Sequence, residues 1–368
     1  MEVIMADTRK LRVAIIGQGR SGRNIHGKYF KSEQNKNYQV VYVVEADAER
    51  RARAEEEYPC CKSLSHYTEL YGKTDIDLVV NASYSDDHYP VTYDLISHGF
   101  NTLVEKPFAR TRVECDTLIA LAEQKKVTLA VFQQTFLAPL YTNAIKVIKD
   151  GTIGELLQAS IHYSGFARRW DWQTIQSRMA GSIYNTGPHP IGIALGFLGF
   201  DPEAKLVYSK LACAMTSGDA EDYAKMIMTA PGKAVVDVEI MSTDTFNDYT
   251  INLVGTKGSY RSTTENYKMK YIVDGENPER PVIFESLKND EGYPIYCSEK
   301  LVSHEESGAL EGSAFESAVE AFYAQLYNKL VEGTPMSVTP EQAAQIISMI
   351  EQAHAENPLP VRYVSVNG

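Results

Sequence analysis

Cysteine is scarce and without pattern in this chain. The five residues (Cys60, Cys61, Cys115, Cys213 and Cys297) are an odd number, and the adjacent Cys60 and Cys61 have no metal-ligand spacing. That argues against a disulfide framework and against a metal module, and implies a reduced, metal-free cytoplasmic protein. Positive charge is also short, with 36 Lys+Arg against 48 Asp+Glu and a net charge of -12. A surface that negative repels phosphate backbones, so nucleic acid is not an expected partner. Long hydrophobic runs are missing. The longest, residues 191–200, is too short to span a bilayer and carries three glycines, so no membrane role is expected. The first ten residues lack the apolar stretch of a secretory leader. No H-E-x-x-H, G-x-S-x-G or P-loop sequence occurs, and there are no internal repeats.

What is present is ordinary globular material: 368 residues, 44% hydrophobic and 23% charged, a length that favours two domains. In the first third, short apolar runs at 11–16, 38–44, 76–81, 101–104 and 127–132 read as buried strands. Helical stretches at 20–32, 48–58 and 113–125 separate them. Strands alternating with helices predict an α/β doubly wound parallel sheet, a Rossmann domain over residues 1–135. Longer strand-like segments follow at 155–166, 205–215, 222–230, 234–241 and 248–254. They predict an α+β domain over residues 136–368 with a large open, mainly antiparallel sheet. Two helices close the chain. One is announced by Ser313 and Glu316 as a capping box, with Phe315, Val319, Phe322, Leu326 and Leu330 on one face and Gly333 at its end. The other starts at Thr339, Pro340 and Gln342 and runs to about residue 355.

Gly17-Gln18-Gly19-Arg20-Ser21-Gly22 is a G-x-G-x-x-G sequence that follows one strand and opens a helix, the context in which glycines let the backbone approach a pyrophosphate. Glu45 ends the next strand, where a carboxylate accepts hydrogen bonds from an adenosine ribose and repels a 2′-phosphate. NAD is therefore favoured over NADP as cofactor, with Arg20 and Arg50 placed to blunt the preference.

Glu105-Lys106-Pro107 after the fourth strand and Asn185-Thr-Gly-Pro-His189 in the second half resemble motifs of the Gfo/Idh/MocA family of sugar and cyclitol oxidoreductases. The resemblance covers nearly the whole chain. It includes the strand-end segment Ser83-Tyr84-Ser85-Asp86-Asp87-His88 and the turn Gly255-Thr-Lys-Gly258. It implies Lys106 and His189 as catalytic residues, with His189 as general base and acid and Lys106 as the positive donor to the reacting oxygen. Further cofactor contacts are implied at Ser83, Tyr84, His88, Glu105 and Gln134. The family's usual Asp four residues before the His is Asn185 here, and its Arg-Phe-x-Pro segment is Phe136-Leu-Ala-Pro139.

Both tryptophans fall in Phe166-Ala-Arg168-Arg169-Trp170-Asp171-Trp172, where indole faces suit the C–H faces of sugars and Arg or Asp suit hydroxyls. Arg168, Arg169, Trp172, Tyr163 and Asn185 are the expected substrate contacts. Asn185 is expected to face His189, so that Asn185→Asp would raise the histidine pKa. His26 reads as structural or as a pocket rim. The resemblance implies an NAD-dependent oxidoreductase acting on a secondary hydroxyl of a sugar, glycoside or cyclitol, and within it the branch that oxidises glycosides at C3 to 3-keto sugars. Two alternatives stand beside it: an NAD-requiring glycosidase that oxidises, eliminates and re-reduces, and a non-catalytic NAD(H) sensor. A homo-oligomer, dimer or tetramer, is expected through the open face of the second sheet, where Val235 and Met241 lie opposite the Val236/Val238/Ile240 side.

Overall fold

The structure is a computed structural model that describes residues 9–364. Most of the segment read as lacking a leader lies outside the described residues. The first sheet has six parallel strands: β1 (Leu11–Ile16), β2 (Tyr38–Val44), β3 (Lys62–Leu64), β4 (Leu78–Asn81), β5 (Thr102–Val104) and β6 (Leu129–Val131), in the order β3-β2-β1-β4-β5-β6. Its central strands are continuous apolar runs because helices cover both faces; all four residues of β4 are buried. The expected helix at 20–32 is a π-helical segment, Arg20–His26, running directly into α1 (Gly27–Phe30). Then come α2 (Ala48–Glu57), α3 (His88–Ser97), α4 (Arg112–Lys125) and α5 (Pro139–Lys149). Asp47 caps α2 by accepting from the Arg50 amide, and Thr111 and Glu114 form a reciprocal box at the start of α4.

The second sheet has eight strands: β7 (Leu156–His162), β8 (Lys205–Ala212), β9 (Tyr223–Thr229), β10 (Val235–Met241), β11 (Ile251–Gly255), β12 (Gly258–Ser262), β13 (Asn266–Tyr271) and β14 (His304–Ala309). Their order is β14-β13-β12-β11-β7-β10-β9-β8, antiparallel throughout except between β7 and β10. The expected α/β-plus-α+β architecture is therefore the observed one. Helices α6 (Ser182–Asn185), α7 (Pro188–Phe197) and α9 (Pro340–Glu356) belong to this half, and α7 and α9 pack over the inner face against buried Val236, Val238 and Ile240.

Helix α8 (Ser317–Glu332) goes elsewhere. Its Val319, Phe322, Tyr323 and Leu326 join the core of the first sheet with Tyr29, Phe30, Tyr38 and Phe132. The expected capping box is only half made. Ser313 Oγ accepts from the Glu316 amide at 3.0 Å, while the Glu316 carboxylate turns away to Lys28 at 2.7 Å. The helix consequently starts at Ser317, and Phe315, assigned to its buried face, is exposed.

The outward face of the second sheet is more polar than expected. Lys225 Nζ lies 2.6 Å from both Asp237 and Glu239, and His162 Nε2 lies 3.4 Å from Glu239. His162, Asp237 and Glu239 have the spacing of a metal-binding trio, with the lysine ammonium already supplying the positive charge. Among the described residues, no helix is long and apolar enough to cross a membrane.

Candidate functional site

The carboxyl ends of β1, β4, β5 and β6 open onto one crevice, the place where doubly wound sheets bind ligands. At the end of β1, Gly17 has φ +88°, and a Cβ there would stand 2.4 Å from the Ala82 carbonyl oxygen. A Cβ on Gly22 would stand 1.9 Å from the Gly17 carbonyl oxygen. Gly19, between them, faces open space with nothing within 4 Å. The first and third glycines thus close the turn, and the middle one leaves bare backbone at a helix start, where an anion is held by amides and helix dipole. The turn residues Gln18, Arg20 and Ser21 complete the loop, with Arg20 exposed. Glu45 is pinned beside it: Oε2 accepts from the Gln18 amide at 2.8 Å and Oε1 from the Asp47 amide at 3.1 Å, with Arg50 3.7 Å away. The buried side-chain carbonyl oxygens of Gln18 and Gln134 have no hydrogen-bond partner among the described residues. Two unpartnered buried acceptors at strand ends are what a bound ligand with N–H and O–H donors would satisfy. The residues present fit a nicotinamide dinucleotide.

Beyond this loop lies the reactive end. Lys106 Nζ donates to the Asn185 carbonyl oxygen at 2.7 Å, joining the end of β5 to α6. His189, in the first turn of α7, is linked through Nδ1 to the Thr135 hydroxyl at 2.5 Å, and among the described residues its Nε2 has no partner. Burial pushes the His189 pKa down to about 3, helped by the Lys106 charge and opposed by Glu105. Burial also pushes Lys106 below the usual lysine value; Glu105 pulls it back up, while Arg20 and Arg169 push it further down.

Glu105 is itself buried and held by a chain of partners. His26 Nε2 lies 3.1 Å from Glu105 Oε1, His26 Nδ1 lies 2.7 Å from the Tyr323 hydroxyl, and Glu105 Oε2 accepts from the Lys106 amide at 3.0 Å. Burial alone would raise the Glu105 pKa, but the His26 hydrogen bond and the positive charges around it hold the carboxyl at about 2. A single buried anion therefore sits directly behind Lys106.

The other wall is aromatic and polar. Tyr84, after β4, meets Trp172 edge-on at 5.0 Å and carries the Arg178 guanidinium over its face at 4.6 Å. Arg178 is in turn paired with Asp86 at 3.1 Å. Arg169 pairs with Asp171 at 2.8 Å, and Gln173 Nε2 donates to Asn185 Oδ1 at 3.2 Å. The segment is strapped from below by buried Asp219, whose carboxylate accepts from the amides of Gln176, Arg362 and Tyr363.

Several expected site residues stand elsewhere. His88 is buried with Nδ1 on the Pro107 carbonyl oxygen at 2.7 Å, so it props the Lys106-Pro107 segment from behind instead of facing a cofactor. Ser83 turns its hydroxyl back onto Asn81 at 2.7 Å. Arg168 is exposed and has no hydrogen bond or ion pair among the described residues. Tyr163 packs against the core of the second sheet, and burial raises its phenol pKa. The amide of Asn185 is engaged by Gln173, and the group bonded to His189 is Thr135 instead. Asn185→Asp would therefore act on His189 through charge alone and not through a hydrogen bond. Thr135 and Gln173 were missed. The one available signal for Thr135 was its place directly after Gln134 at the mouth of a parallel strand.

The turn, the pinned carboxylate and the unpartnered acceptors together define a dinucleotide-binding protein. Residues 11–133 match the family described as "Oxidoreductase family, NAD-binding Rossmann fold", and residues 141–261 match the "GFO/IDH/MocA C-terminal domain". The chain belongs to the Gfo/Idh/MocA oxidoreductase family and is an NAD-dependent oxidoreductase. An uncharacterized oxidoreductase of Schizosaccharomyces pombe, C26H5.09c, is 26% identical over 280 residues, covering 74% of this chain and 75% of the relative. The scyllo-inositol 2-dehydrogenase (NADP(+)) IolW of Bacillus subtilis is 23% identical over 352 residues, covering 93% of this chain and 92% of the relative. The solved structure of GenD2 from gentamicin A biosynthesis, in complex with NAD, has a TM-score of 0.72 at 18% identity and covers 97% of both chains.

Proposed function

We propose that this chain oxidises a secondary hydroxyl of a sugar, glycoside or cyclitol with NAD, in the cytoplasm. The observation that carries the reading is the convergence of Lys106, from the first sheet, and His189, from the second half, at the open mouth of the nucleotide crevice. With Nδ1–H donated to Thr135, His189 presents an unprotonated Nε2 that takes the hydroxyl proton. Lys106 donates to the oxygen as negative charge develops on it. The bound nicotinamide supplies a hydride acceptor at C4. The carbinol carbon thus loses hydride as the O–H proton passes to His189 and a ketone forms. Tyr84 and Trp172 offer an aromatic wall to the C–H face of a ring, and Arg169, Gln173 and Asn185 offer groups to its hydroxyls. The relative IolW acts on scyllo-inositol, a ring of secondary hydroxyls, which supports the same substrate class. Five free cysteines suit a reducing compartment.

The test is incubation with NAD and a panel of cyclitols, sugars and glycosides, read by NADH absorbance and product mass. NADH formation with loss of two hydrogens is expected. Release of an aglycone without net NADH would replace oxidation by oxidation–elimination as the reading.

Glu45 sets the cofactor. Its carboxylate is fixed by two backbone amides and cannot swing away from a 2′-phosphate, so NAD is expected to bind at least about tenfold tighter than NADP, a difference of ~1.4 kcal/mol. Glu45→Ser is expected to narrow that ratio, with Arg50 left free to meet the phosphate. Equal affinities for the two cofactors in the unaltered protein, by fluorescence titration, would refute this assignment.

A further inference from the structure

After α9 the chain returns to the wall that carries Trp172. From Pro358 to Val364 every residue except Leu359 is exposed, so this tail has no packed side chains to keep it in place. Its backbone is tied instead. The amides of Arg362 and Tyr363 donate to Asp219 Oδ2 at 2.6 and 3.0 Å. Gln176 Nε2 donates to the Pro360 carbonyl oxygen and Ser177 Oγ to that of Tyr363, both at 3.1 Å. A terminal segment is ordered only where such ties exist. All four run to the wall segment or to Asp219.

Asp219 stands on the loop between β8 and β9 and is 2% exposed. Its Oδ1 accepts from the Gln176 amide at 2.9 Å, and its carbonyl oxygen from Gln176 Nε2 at 2.8 Å. The amides of Asp219 and Ala220 donate in turn to the Thr174 carbonyl oxygen, at 3.0 and 2.9 Å. The two loops lie so close that a Cβ on Gly218 would stand 1.9 Å from that same oxygen. One carboxylate thus serves two segments, Oδ1 the wall and Oδ2 the tail. Burial alone would raise its pKa, but the amides of Gln176, Arg362 and Tyr363 hold it below the usual value. Taking either set of donors away leaves a buried charge short of hydrogen bonds.

We infer that Asp219 is a positioning residue for substrate, and that the 358–364 tail is the strap that lets it hold the Trp172–Arg178 wall against Tyr84 and Asn185. The inference rests on the reading above that this wall meets the substrate. What the strap fixes is specific: the edge of Trp172 on Tyr84, Gln173 Nε2 on Asn185 Oδ1, and the Arg178 guanidinium over Tyr84. Among the described residues neither Asp219 nor the tail bonds to the glycine turn, Glu45, Lys106 or His189. Loosening the strap should therefore weaken substrate binding and spare both the cofactor and the chemical step, the pattern of a raised KM at constant kcat.

The experiment uses the chain's own fluorophores. Its two tryptophans are Trp170 and Trp172, so Trp170→Phe leaves Trp172 as the sole reporter of the wall. Two variants are made in that background. In Asp219→Asn one carboxylate oxygen becomes an NH2 donor facing amide donors, so one of the two links is lost. Arg362→Pro/Tyr363→Pro removes both tail amides, because proline has no N–H, and alters no buried side chain. In both, acrylamide quenching of Trp172 is expected to rise and its anisotropy to fall. KM for the substrate should rise ~10-fold, the scale of one lost hydrogen-bonded contact, with kcat and NAD affinity unchanged. Arg362→Ala/Tyr363→Ala keeps the amides and should behave like the background. Fluorescence is read without substrate, so it tests the strap whichever compound is oxidised. Unchanged quenching in both variants would overturn the strap, and an alanine pair as disruptive as the proline pair would overturn the amide link. Greater quenching with an unchanged KM would overturn the positioning role and the wall as a substrate contact, while leaving the assignments of Lys106 and His189 intact.

Discussion

Replacing His189 with alanine is expected to slow hydride transfer ~100- to 10,000-fold, the usual contribution of a positioned general base, while leaving NAD affinity unchanged. Its ring is hydrogen-bonded to Thr135, and none of its hydrogen bonds among the described residues goes to the glycine turn or Glu45. Single-turnover formation of NADH measures the first quantity and equilibrium fluorescence titration the second. A loss under tenfold would exclude His189 as the base. The pH profile gives an independent check. Burial and the Lys106 charge hold the His189 pKa at about 3, far below the ordinary histidine value, so the imidazole is neutral across the working range. kcat/KM should therefore show no acid limb near pH 6.5. A limb there that disappears in His189→Ala would mean that the imidazole is far less desolvated than its burial requires.

Lys106→Met is expected to cost a further large factor, ~100- to 1,000-fold in kcat, the scale of removing one donor from a developing oxyanion. Because Lys106 pushes the His189 pKa down, its removal must push that pKa up. The variant should consequently gain an acid limb at higher pH than the unaltered enzyme. The alkaline side moves in the opposite sense. Lys106 must stay protonated to donate, and burial lowers its pKa, so activity should fall on an alkaline limb below the usual lysine value of 10.5. Glu105 raises the Lys106 pKa from behind, so Glu105→Gln should bring that limb lower still, without removing any group that touches substrate. An alkaline limb that stays in place in Glu105→Gln would show that the buried carboxylate does not set the lysine charge.

The parts of the fold legible in the sequence were those written in apolar periodicity. β1 and β2 were read to the residue, because both are buried runs between turn signals. β3 was not, since its three residues are polar or half exposed. β13 and β14 were missed for a related reason: β14 is an edge strand whose His, Glu and Ser carry no hydrophobic signature and which only its pairing with β13 defines, while in β13 the Tyr267/Met269/Tyr271 alternation is short and interleaved with lysines. α3 was hidden by Pro90 in its first turn, a position a helix tolerates but a sequence reader takes as a break. In the site, Lys106 and His189 were visible because each sits in a short local motif. Thr135 and Gln173 were not, because what marks them is a contact with a residue 54 or 12 positions away. His88 and Ser83 show the converse error. A side chain in the right segment can still turn inward, and no spacing rule reports that.

Tyr323 places a clock on the making of this protein. It is fully buried among Tyr29, Phe30, Tyr38 and Phe132, its hydroxyl meets His26 across 297 positions of sequence, and its carbonyl oxygen accepts from Tyr38 at 2.8 Å. On the ribosome, the strands of the nucleotide sheet emerge long before α8 does. Until that helix arrives, a wall of aromatic rings faces solvent and His26 lacks its hydroxyl partner. The cofactor fold is thus begun by the first third of the chain and closed by nearly the last. Contacts of such span make for slow folding, and the aromatic surface left open at this stage is the part of the nascent chain most prone to aggregate.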